Sequence, residues 1–312
     1  MTDAEFRKIN AFFAQTDENG LTNWEKAEKN SRVICRIATT DSSKSFEDAE
    51  KRESDYPTGV VVENGKLIGL GIHIYNEDVY PIQSFEIYLR DCGLSGHLDI
   101  ASCRDMVFLD VYRNRITSVD VRDMPAMRIL GVQSNEITEL DVTGLPVCQG
   151  IDAGKNKLKS LDVSKNPELV ELYINDNDFS EIDISHNAKL KYFYCHNNCI
   201  SKLDTRSNTL LRHLDATGNP MTDIRTLAPQ REEKLPLEVY AGEGGFVGLK
   251  FCPVYNAQWK ETGEWKQCYE ACPAEGYAFE GWYEKDEKVG DEAMWTDAYG
   301  TSRVLKAKFV KA

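Results

Sequence analysis

The sequence contains no apolar run long enough to span a membrane as a helix, which needs about 18 residues or more. Its first residues lack the basic start and apolar stretch of a signal peptide, so we expect a cytosolic protein or numbering that begins after a removed leader. Basic residues are also scarce, with 37 lysines and arginines against 51 aspartates and glutamates. The net charge of −14 argues against nucleic acid and anionic membrane surfaces as partners.

The short motifs of common catalytic and metal sites are missing too. There is no glycine-rich phosphate loop, no nucleophile elbow and no His-Glu metal motif in the sequence. None of the nine cysteines belongs to a Cys-x-x-Cys pair, so we predict no zinc site, no other metal and no cofactor. Because nine is an odd number, at least one cysteine stays unpaired in a monomer. We therefore expect a protein that is not an enzyme.

What the sequence does contain is a repeat of 21 residues. Each repeat follows the same pattern of apolar residues around one asparagine. An example of this frame is Met127-x-x-Leu130-x-Val132-x-x-Asn135-x-Ile137-x-x-Leu140. A fixed period in the low twenties with this frame is typical of a leucine-rich-repeat solenoid. The residues that end the frame's first segment form a predicted ladder, in which a cysteine takes the first place: Cys92, Asn114, Asn135, Asn156, Asn177, Asn198 and Asn219.

The spacing within one repeat explains how a coil is built. Leu130 and Val132 are two residues apart, so they point to the same side of a short strand. Asn135 ends the strand, and its amide can donate and accept hydrogen bonds to the backbone of its own coil and of the next. No coil buries its apolar side alone, so stacking must build one core, with the asparagines from 114 to 219 buried inside it.

The flanking sequences differ from the repeats. We predict a fold of the α+β class that is mostly β, with a helical N-terminal cap at 1–58, a solenoid with a parallel concave sheet at 59–230 and a small β-domain at 231–312. Phe12 and Phe13 belong to a helical pattern in the cap, and Asn64-Gly65 marks a hairpin turn at the start of the solenoid. After about residue 237 the pattern alternates with period two. The alternative is that these last residues are the C-terminal cap of the solenoid.

The repeat frame, best seen at Gly150 to Asn166 and Leu169 to Asn187, resembles that of bacterial surface leucine-rich-repeat proteins, including the internalin group. Residues near the N-terminus, such as Asn23-Trp24, are loosely similar to the cap of those proteins. The stretch Ala271 to Trp282, followed by Leu305 to Phe309, resembles the internalin-type B-repeat. Together these resemblances imply an exported, surface-displayed binding protein.

Two further residue types recur in the repeats. Cys92, Cys148 and Cys195 occupy positions that hold apolar residues or the ladder asparagine in other coils, so we expect small buried hydrophobes and not nucleophiles. An aspartate column could hold calcium, but each carboxylate stands alone in its coil, which favours hydrogen bonds to turn backbone instead. The column consists of Asp99, Asp120, Asp141, Asp162, Asp183 and Asp204.

Side chains that alternate with the core residues must line the concave face of the sheet. Aromatic residues are frequent there, and tyrosine suits recognition because it offers a large contact area at low entropic cost. The alternative is an ordinary exposed sheet with strand-preferring tyrosines. We predict that a ligand contacts Tyr88, Phe108, Asp110, Tyr112, Tyr173, Tyr192, Tyr194, His196, His213 and Asp215. The contacts should centre on a tyrosine patch formed by Tyr173, Tyr192, Tyr194, His196 and His213.

Three hypotheses for function follow from these observations. The first is a non-enzymatic recognition or adhesion protein of the bacterial cell surface, extracellular in location, that binds a protein or a glycan on the concave face. The second is an intracellular, cytoplasmic scaffold for protein–protein interaction. The third is a hydrolase that uses His196, His213 and Asp215 for acid–base chemistry, which an open sheet without a nucleophile or a dry pocket disfavours.

Overall fold

The structure is a computed structural model, and it describes residues 3–30, 60–63, 66–70, 89, 91–227, 236–255, 261–297 and 303–312. The chain divides into two compact units, Met1–Leu161 and Asp162–Ala312. Tyr88 lies outside the described residues. Both units contain coils of a leucine-rich-repeat solenoid with parallel strands, so the predicted fold class is confirmed.

The first unit begins with two helices, α1 (Asp3–Phe13) and α2 (Asn23–Asn30). Helix α1 buries Ile9, Phe12 and Phe13, as its helical spacing predicts. Helix α2 starts with a capping box that the sequence analysis missed: the Thr22 hydroxyl accepts from the Glu25 amide, and the Glu25 carboxylate accepts from the Thr22 amide. Neither described helix is long and apolar enough to cross a membrane.

Seven strands follow in the first unit. They are β1 (Val60–Glu63), β2 (Lys66–Leu70), β3 (Ser95–Asp99), β4 (Phe108–Asp110), β5 (Arg115–Asp120), β6 (Ile129–Gly131) and β7 (Gly150–Asp152). Strands β1 and β2 form the predicted antiparallel hairpin. From β2 the sheet continues in parallel through β4 and β6 to β7, while β3 and β5 pair in a second sheet. Leu109, Leu130 and Ile151 lie side by side at the 21-residue period and are buried.

The N-terminal cap binds the edge strand β3 through side chains. Asn23 is fully buried, accepts from the Ser95 amide at 2.8 Å and donates to the Ser95 carbonyl at 2.7 Å. Lys26 is also buried and donates to the Ser95 hydroxyl at 2.9 Å, while its ammonium lies 3.2 Å from Asp17. The cap thus supplies polar partners to backbone groups that would otherwise lack a neighbouring coil.

The second unit holds twelve strands. They are β8 (Glu171–Tyr173), β9 (Tyr192–Tyr194), β10 (Lys202–Asp204), β11 (His213–Asp215), β12 (Asp223–Leu227), β13 (Pro236–Ala241), β14 (Gly245–Tyr255), β15 (Glu261–Pro273), β16 (Tyr277–Glu284), β17 (Glu287–Gly290), β18 (Met294–Asp297) and β19 (Arg303–Lys311). One sheet runs in the order β8-β9-β11-β14-β15-β18, and the other in the order β10-β12-β13-β19-β16-β17.

The C-terminal strands extend the sheets of the last coils. Strand β14 pairs antiparallel with β11, with Leu214 opposite Phe251, and β13 pairs antiparallel with β12 over five residues. Phe251, like Leu214, is buried, so apolar packing accompanies the hydrogen bonds. Such pairing is expected if the C-terminal strands are the cap of the solenoid, and the separate β-domain at 231–312 stays a prediction.

The ladder asparagines connect successive coils. Asn135 donates to the Val111 carbonyl of the preceding coil and the Val132 carbonyl of its own coil, both at 3.0 Å, and accepts from the Ile116 amide at 3.0 Å. In the second unit Asn198 makes the same set of bonds with Ile174, Cys195 and Phe179. Each amide therefore satisfies backbone groups that the turn leaves unpaired.

Asn156 departs from the predicted burial. It makes the expected bonds, donating to Val132 and Ala153 and accepting from Ile137, but it is only half-buried. The residue two places before it is Gly154, whereas the other asparagines of the ladder have a side chain at that place. Asn156 is therefore more accessible to water than Asn135.

A second column of asparagines, which the sequence analysis did not identify, lies inside the second unit. Asn187 donates to the carbonyls of Val163 and Asn166, and Asn208 donates to those of Ile184 and Asn187, at 2.9–3.0 Å. The side chains of this column, Asn166, Asn187 and Asn208, are all buried. The first unit has apolar residues at the equivalent places of the repeat, namely Cys103, Met124 and Leu145, all fully buried.

The aspartate column hydrogen-bonds turn backbone, as the sequence analysis favoured. In each case a carboxylate oxygen accepts from the amide two residues ahead, as between Asp141 and Thr143 at 3.0 Å and between Asp183 and Ser185 at 2.9 Å. The same bond occurs at the other four members of the column. Asp99 also accepts from Lys8 of helix α1 at 2.6 Å, which ties the cap to the first coil.

Candidate binding face

The tyrosine patch lies in the second unit on strands β8, β9 and β11. Parallel register places Tyr192 beside His213 and Tyr194 beside Asp215. On β8, Tyr173 is the partner of Tyr194. The residues between them point the other way and are fully buried in the core: Leu172, Phe193 and Leu214. The patch side chains therefore share the concave face, as alternation along the strands predicts.

Two pairs of rings form the centre of the patch. Tyr173 and Tyr194 have their centroids 5.0 Å apart at an interplanar angle of 38°. Tyr192 stacks on His213 with centroids 4.5 Å apart at 25°. All three tyrosines are half-buried, so each ring combines a packed side with an accessible side. Rings held in this way on paired strands lose little freedom on binding a ligand.

A polar network borders these rings. Asp176 accepts from Asn175 at 2.7 Å and from Asn197 at 2.8 Å. The His196 ring lies between two carboxylates, with its Nε2 atom 3.8 Å from Asp176 and its Nδ1 atom 3.8 Å from Asp215. His196 also approaches Tyr194, at a centroid distance of 6.4 Å. The network links the polar edge of the face to the aromatic centre.

Lys250 completes the network from strand β14. Its ammonium donates to Asp215 at 2.5 Å, while half of the Lys250 side chain stays exposed. The Asp215 carboxylate holds the pKa of Lys250 above its ordinary value. Asp215 also accepts from the Thr217 hydroxyl at 2.7 Å. The sequence analysis missed Lys250 because it lies outside the repeat, and only antiparallel pairing brings it opposite Asp215.

His213 is a packed member of the patch. Burial, together with the positive charge of neighbouring Arg212, lowers the pKa of His213 to about 4, so the ring is neutral near pH 7. Arg212 itself forms an ion pair with Glu261, and its guanidinium lies 5.8 Å from the ring centre of Trp265. A neutral ring stacked on Tyr192 stiffens the patch and adds no charge to it.

Four of the residues predicted to contact a ligand are buried in the structure. Less than one-tenth of the surface is exposed in each of them, namely Phe108, Asp110, His213 and Asp215. His213 is covered by stacking on Tyr192, and Asp215 by its bonds to Thr217 and Lys250. Alternation correctly gives the face to which these residues point, but the neighbouring side chains close over them.

The concave face of the first unit carries the other predicted contact residues that the structure describes. Gly131 lies beside Asp110, whose carboxylate carbon is 3.3 Å from where a Cβ on Gly131 would stand. Asp110 accepts from the Tyr112 amide at 3.1 Å, a local backbone role. Tyr112 is half-buried, and the Arg113 guanidinium lies 5.4 Å from its ring centre. The structure brings together the predicted residues of the second unit, while Phe108, Asp110 and Tyr112 belong to the first unit.

The buried cysteines are poor nucleophiles. Burial raises the pKa of Cys92 to about 11 and that of Cys103 and Cys148 to about 12, and it raises the pKa of Cys195 as well. Thiols with such pKa values are protonated near neutral pH and behave as small apolar groups. The described residues contain no cluster of three or more histidine, cysteine or acidic side chains that could hold a metal ion.

No protein family matches the chain by sequence, and no curated protein does. Among solved structures, the functional domain of InlJ from Listeria monocytogenes, described as including a cysteine ladder, is similar with a TM-score of 0.34 and 17% identity. That match covers 57% of this chain and 48% of InlJ's. The APL1 leucine-rich repeat domain has a TM-score of 0.34 and 16% identity, over 43% of this chain and 45% of its own. The chain thus spans about half the length of each structure.

Proposed function

We propose that the protein is a non-enzymatic recognition protein that binds a protein or glycan ligand through the tyrosine patch of its second unit. The observation that carries this proposal is the pair of ring contacts, Tyr173 with Tyr194 and Tyr192 with His213, on three paired strands. Half-buried tyrosines held in place offer stacking surfaces for sugar rings and for peptide side chains alike.

The surroundings of the patch support binding better than proton transfer. His213 is buried and neutral, and Asp215 is occupied by Lys250 and Thr217. The face also has room for a macromolecule, because the six strands from β8 to β18 are separated by five gaps of about 4.8 Å, or roughly 24 Å in all. A protein partner commonly covers about 800 Å² on each side.

The resemblance of the repeats to bacterial surface proteins supports a location at the cell surface, where the protein would act in adhesion. A second candidate, an intracellular scaffold, is favoured by one observation: no disulfide joins the cysteines in the described part of the chain. Proteins of oxidising compartments commonly pair their cysteines. Mapping the native gene start and fractionating cells will distinguish the two locations.

The test of the binding site is a double variant, Tyr192→Ala with Tyr194→Ala. A screen against glycan and protein arrays first identifies a ligand, and we expect this variant to lose at least ~100-fold in affinity, since each lost aromatic anchor is worth about 2 kcal/mol or more at a well-packed site. The thermal melting temperature should change little.

A matched control replaces two tyrosines on the other sheet, Tyr240→Ala with Tyr283→Ala. Both are half-buried, so the control removes a similar aromatic surface away from the patch. The control should bind like the parent protein. Retained binding in the Tyr192/Tyr194 variant would overturn the proposal and move the site elsewhere in the chain.

A further inference from the structure

The charges around the tyrosine patch are predominantly negative. Glu171 lies on β8, Asp176 in the turn after β8 and Asp215 on β11, where it forms an ion pair with Lys250. These four groups, three carboxylates and one ammonium, sum to a net charge of −2. Arg212, next to His213, is neutralised by its ion pair with Glu261.

The whole chain has the same sign, with a net charge of −14. Its field would therefore attract a basic partner to the face and repel an acidic one, most strongly at low ionic strength. Asp176 is the accessible carboxylate at the edge of the patch, since about a third of its side chain is exposed. Asp215, by contrast, is buried beneath Lys250.

Aromatic faces next to a carboxylate are well matched to one kind of side chain. A guanidinium or ammonium group is attracted to the face of a tyrosine ring and also forms an ion pair with a carboxylate. Tyr194 lies beside His196, whose ring is 3.8 Å from Asp176, so one arginine side chain can cover the Tyr194 ring and reach towards Asp176.

The protein already uses this kind of contact elsewhere. The Arg113 guanidinium lies 5.4 Å from the ring centre of Tyr112, and the Lys308 ammonium lies 3.7 Å from that of Tyr283. We infer that the partner of the tyrosine patch is a basic protein segment, whose arginine or lysine side chains stack on Tyr173 and Tyr194 and pair with Asp176. This inference rests on the proposed function and narrows its ligand to a cationic polypeptide.

The test uses three short peptides of glycine and serine, capped at both ends, that carry three arginines, three citrullines or three glutamates. Citrulline has nearly the shape of arginine without its charge. By calorimetry at low salt, we expect the arginine peptide to bind the full chain at least tenfold more tightly than the citrulline peptide. The glutamate peptide should not bind. At 500 mM sodium chloride the advantage of arginine should shrink several-fold.

Two variants, each of which removes one negative charge, distinguish binding of the arginine peptide at the patch from its general electrostatic attraction to an acidic protein. Asp176→Asn should weaken the arginine peptide at least fivefold, and asparagine tolerates the left-handed conformation that Asp176 adopts at φ 54°. Glu181→Gln removes one charge from an exposed residue outside the concave face and should leave the affinity almost unchanged. Equal losses in the two variants would overturn the inference, as would equal binding of the arginine and citrulline peptides.

The outcomes also distinguish this inference from the proposed function. If the arginine peptide fails but the Tyr192/Tyr194 variant still abolishes binding of the ligand found by screening, the site stands and its ligand is not basic. If the arginine peptide binds the Tyr192/Tyr194 variant as well as the parent protein, the patch is not the site, and both proposals fail.

Discussion

Gln15 pairs with His97 as a neighbouring strand would. Its side-chain Nε2 donates to the His97 carbonyl at 2.5 Å, and its Oε1 accepts from the His97 amide at 2.8 Å. A Cβ on the residue before His97 would stand 2.0 Å from this Oε1 atom, and Gly96 avoids the clash. One side-chain amide thus replaces part of a missing coil at the edge of β3.

We expect Gln15→Ala to lower the free energy of unfolding by about 1 kcal/mol, since its two bonds are solvent-accessible. Asn23→Ala should cost more, on the order of 2–3 kcal/mol, because Asn23 is fully buried and its loss leaves backbone groups of Ser95 without partners. Urea denaturation of both variants checks the order. A larger loss for Gln15→Ala would contradict this account of the cap.

The ladder asparagines should differ in their contribution to stability. Asn135→Ala leaves the carbonyls of Val111 and Val132 and the amide of Ile116 unpaired in a buried place, at a cost of about 1–3 kcal/mol. Asn156→Ala should lie near the lower end of this range, because water can replace part of the lost bonds. Thermal unfolding of the two variants, with Gln133→Ala as a half-buried control, measures the difference. Neutral variants at both positions would exclude the ladder as a stabilising feature.

Removing the C-terminal strands should destabilise the last coils. A chain that ends at Lys234 lacks the partners of β11 and β12 and exposes the apolar surface that Phe251 covers. Unpaired strand edges favour aggregation. We expect the shortened protein to melt early and to aggregate, as light scattering and circular dichroism would show. A truncated protein that keeps the full-length melting temperature would instead support a separate β-domain.

The buried imidazole of His213 should make stability depend on pH. Its pKa is lowered to about 4 in the folded protein from 6.5, so the unfolded chain binds more protons between these values. The stabilisation is complete above pH 6.5 and is lost as the pH falls towards 4. The size of the shift corresponds to about 3 kcal/mol. We expect His213→Gln to show a smaller loss between pH 7.5 and 4.5 in urea denaturation, and an equal loss in both proteins would contradict the assignment.

The periodic parts of the fold could be predicted from the sequence, and the non-periodic contacts could not. The spacing of Asn114 to Asn219 predicts both the coils and the bonds between them because each repeat has the same neighbours. Lys250 joins the site through a long-range antiparallel pairing that no local pattern encodes. The place of Asp176 at the edge of the patch depends on the left-handed turn conformation that it shares with Asn197 and Gly218. These three residues follow the 21-residue spacing, but the spacing alone does not reveal that conformation.

The sequence also did not predict how deeply the residues of the concave face are buried. Alternation places Asp215 and His213 on the same side as Tyr194, which the structure shows, but it does not say how closely adjacent side chains pack. The short stacking distance between Tyr192 and His213 buries one ring and leaves the other accessible. Exposure of a site residue depends on such pairs of neighbours and not on the repeat position alone.

The inner asparagine column makes the coils of the two units non-interchangeable. In the second unit, the carbonyls of Ile184 and Asn187 accept hydrogen bonds from the Asn208 side chain, whereas the first unit has Leu145 at the equivalent place. A coil transplanted from the first unit into the second would set an apolar side chain against those carbonyls. Equal repeat length is therefore not enough for shuffling coils, and a chimera must also supply a hydrogen-bond donor for each carbonyl that an inner asparagine pairs in the parent chain.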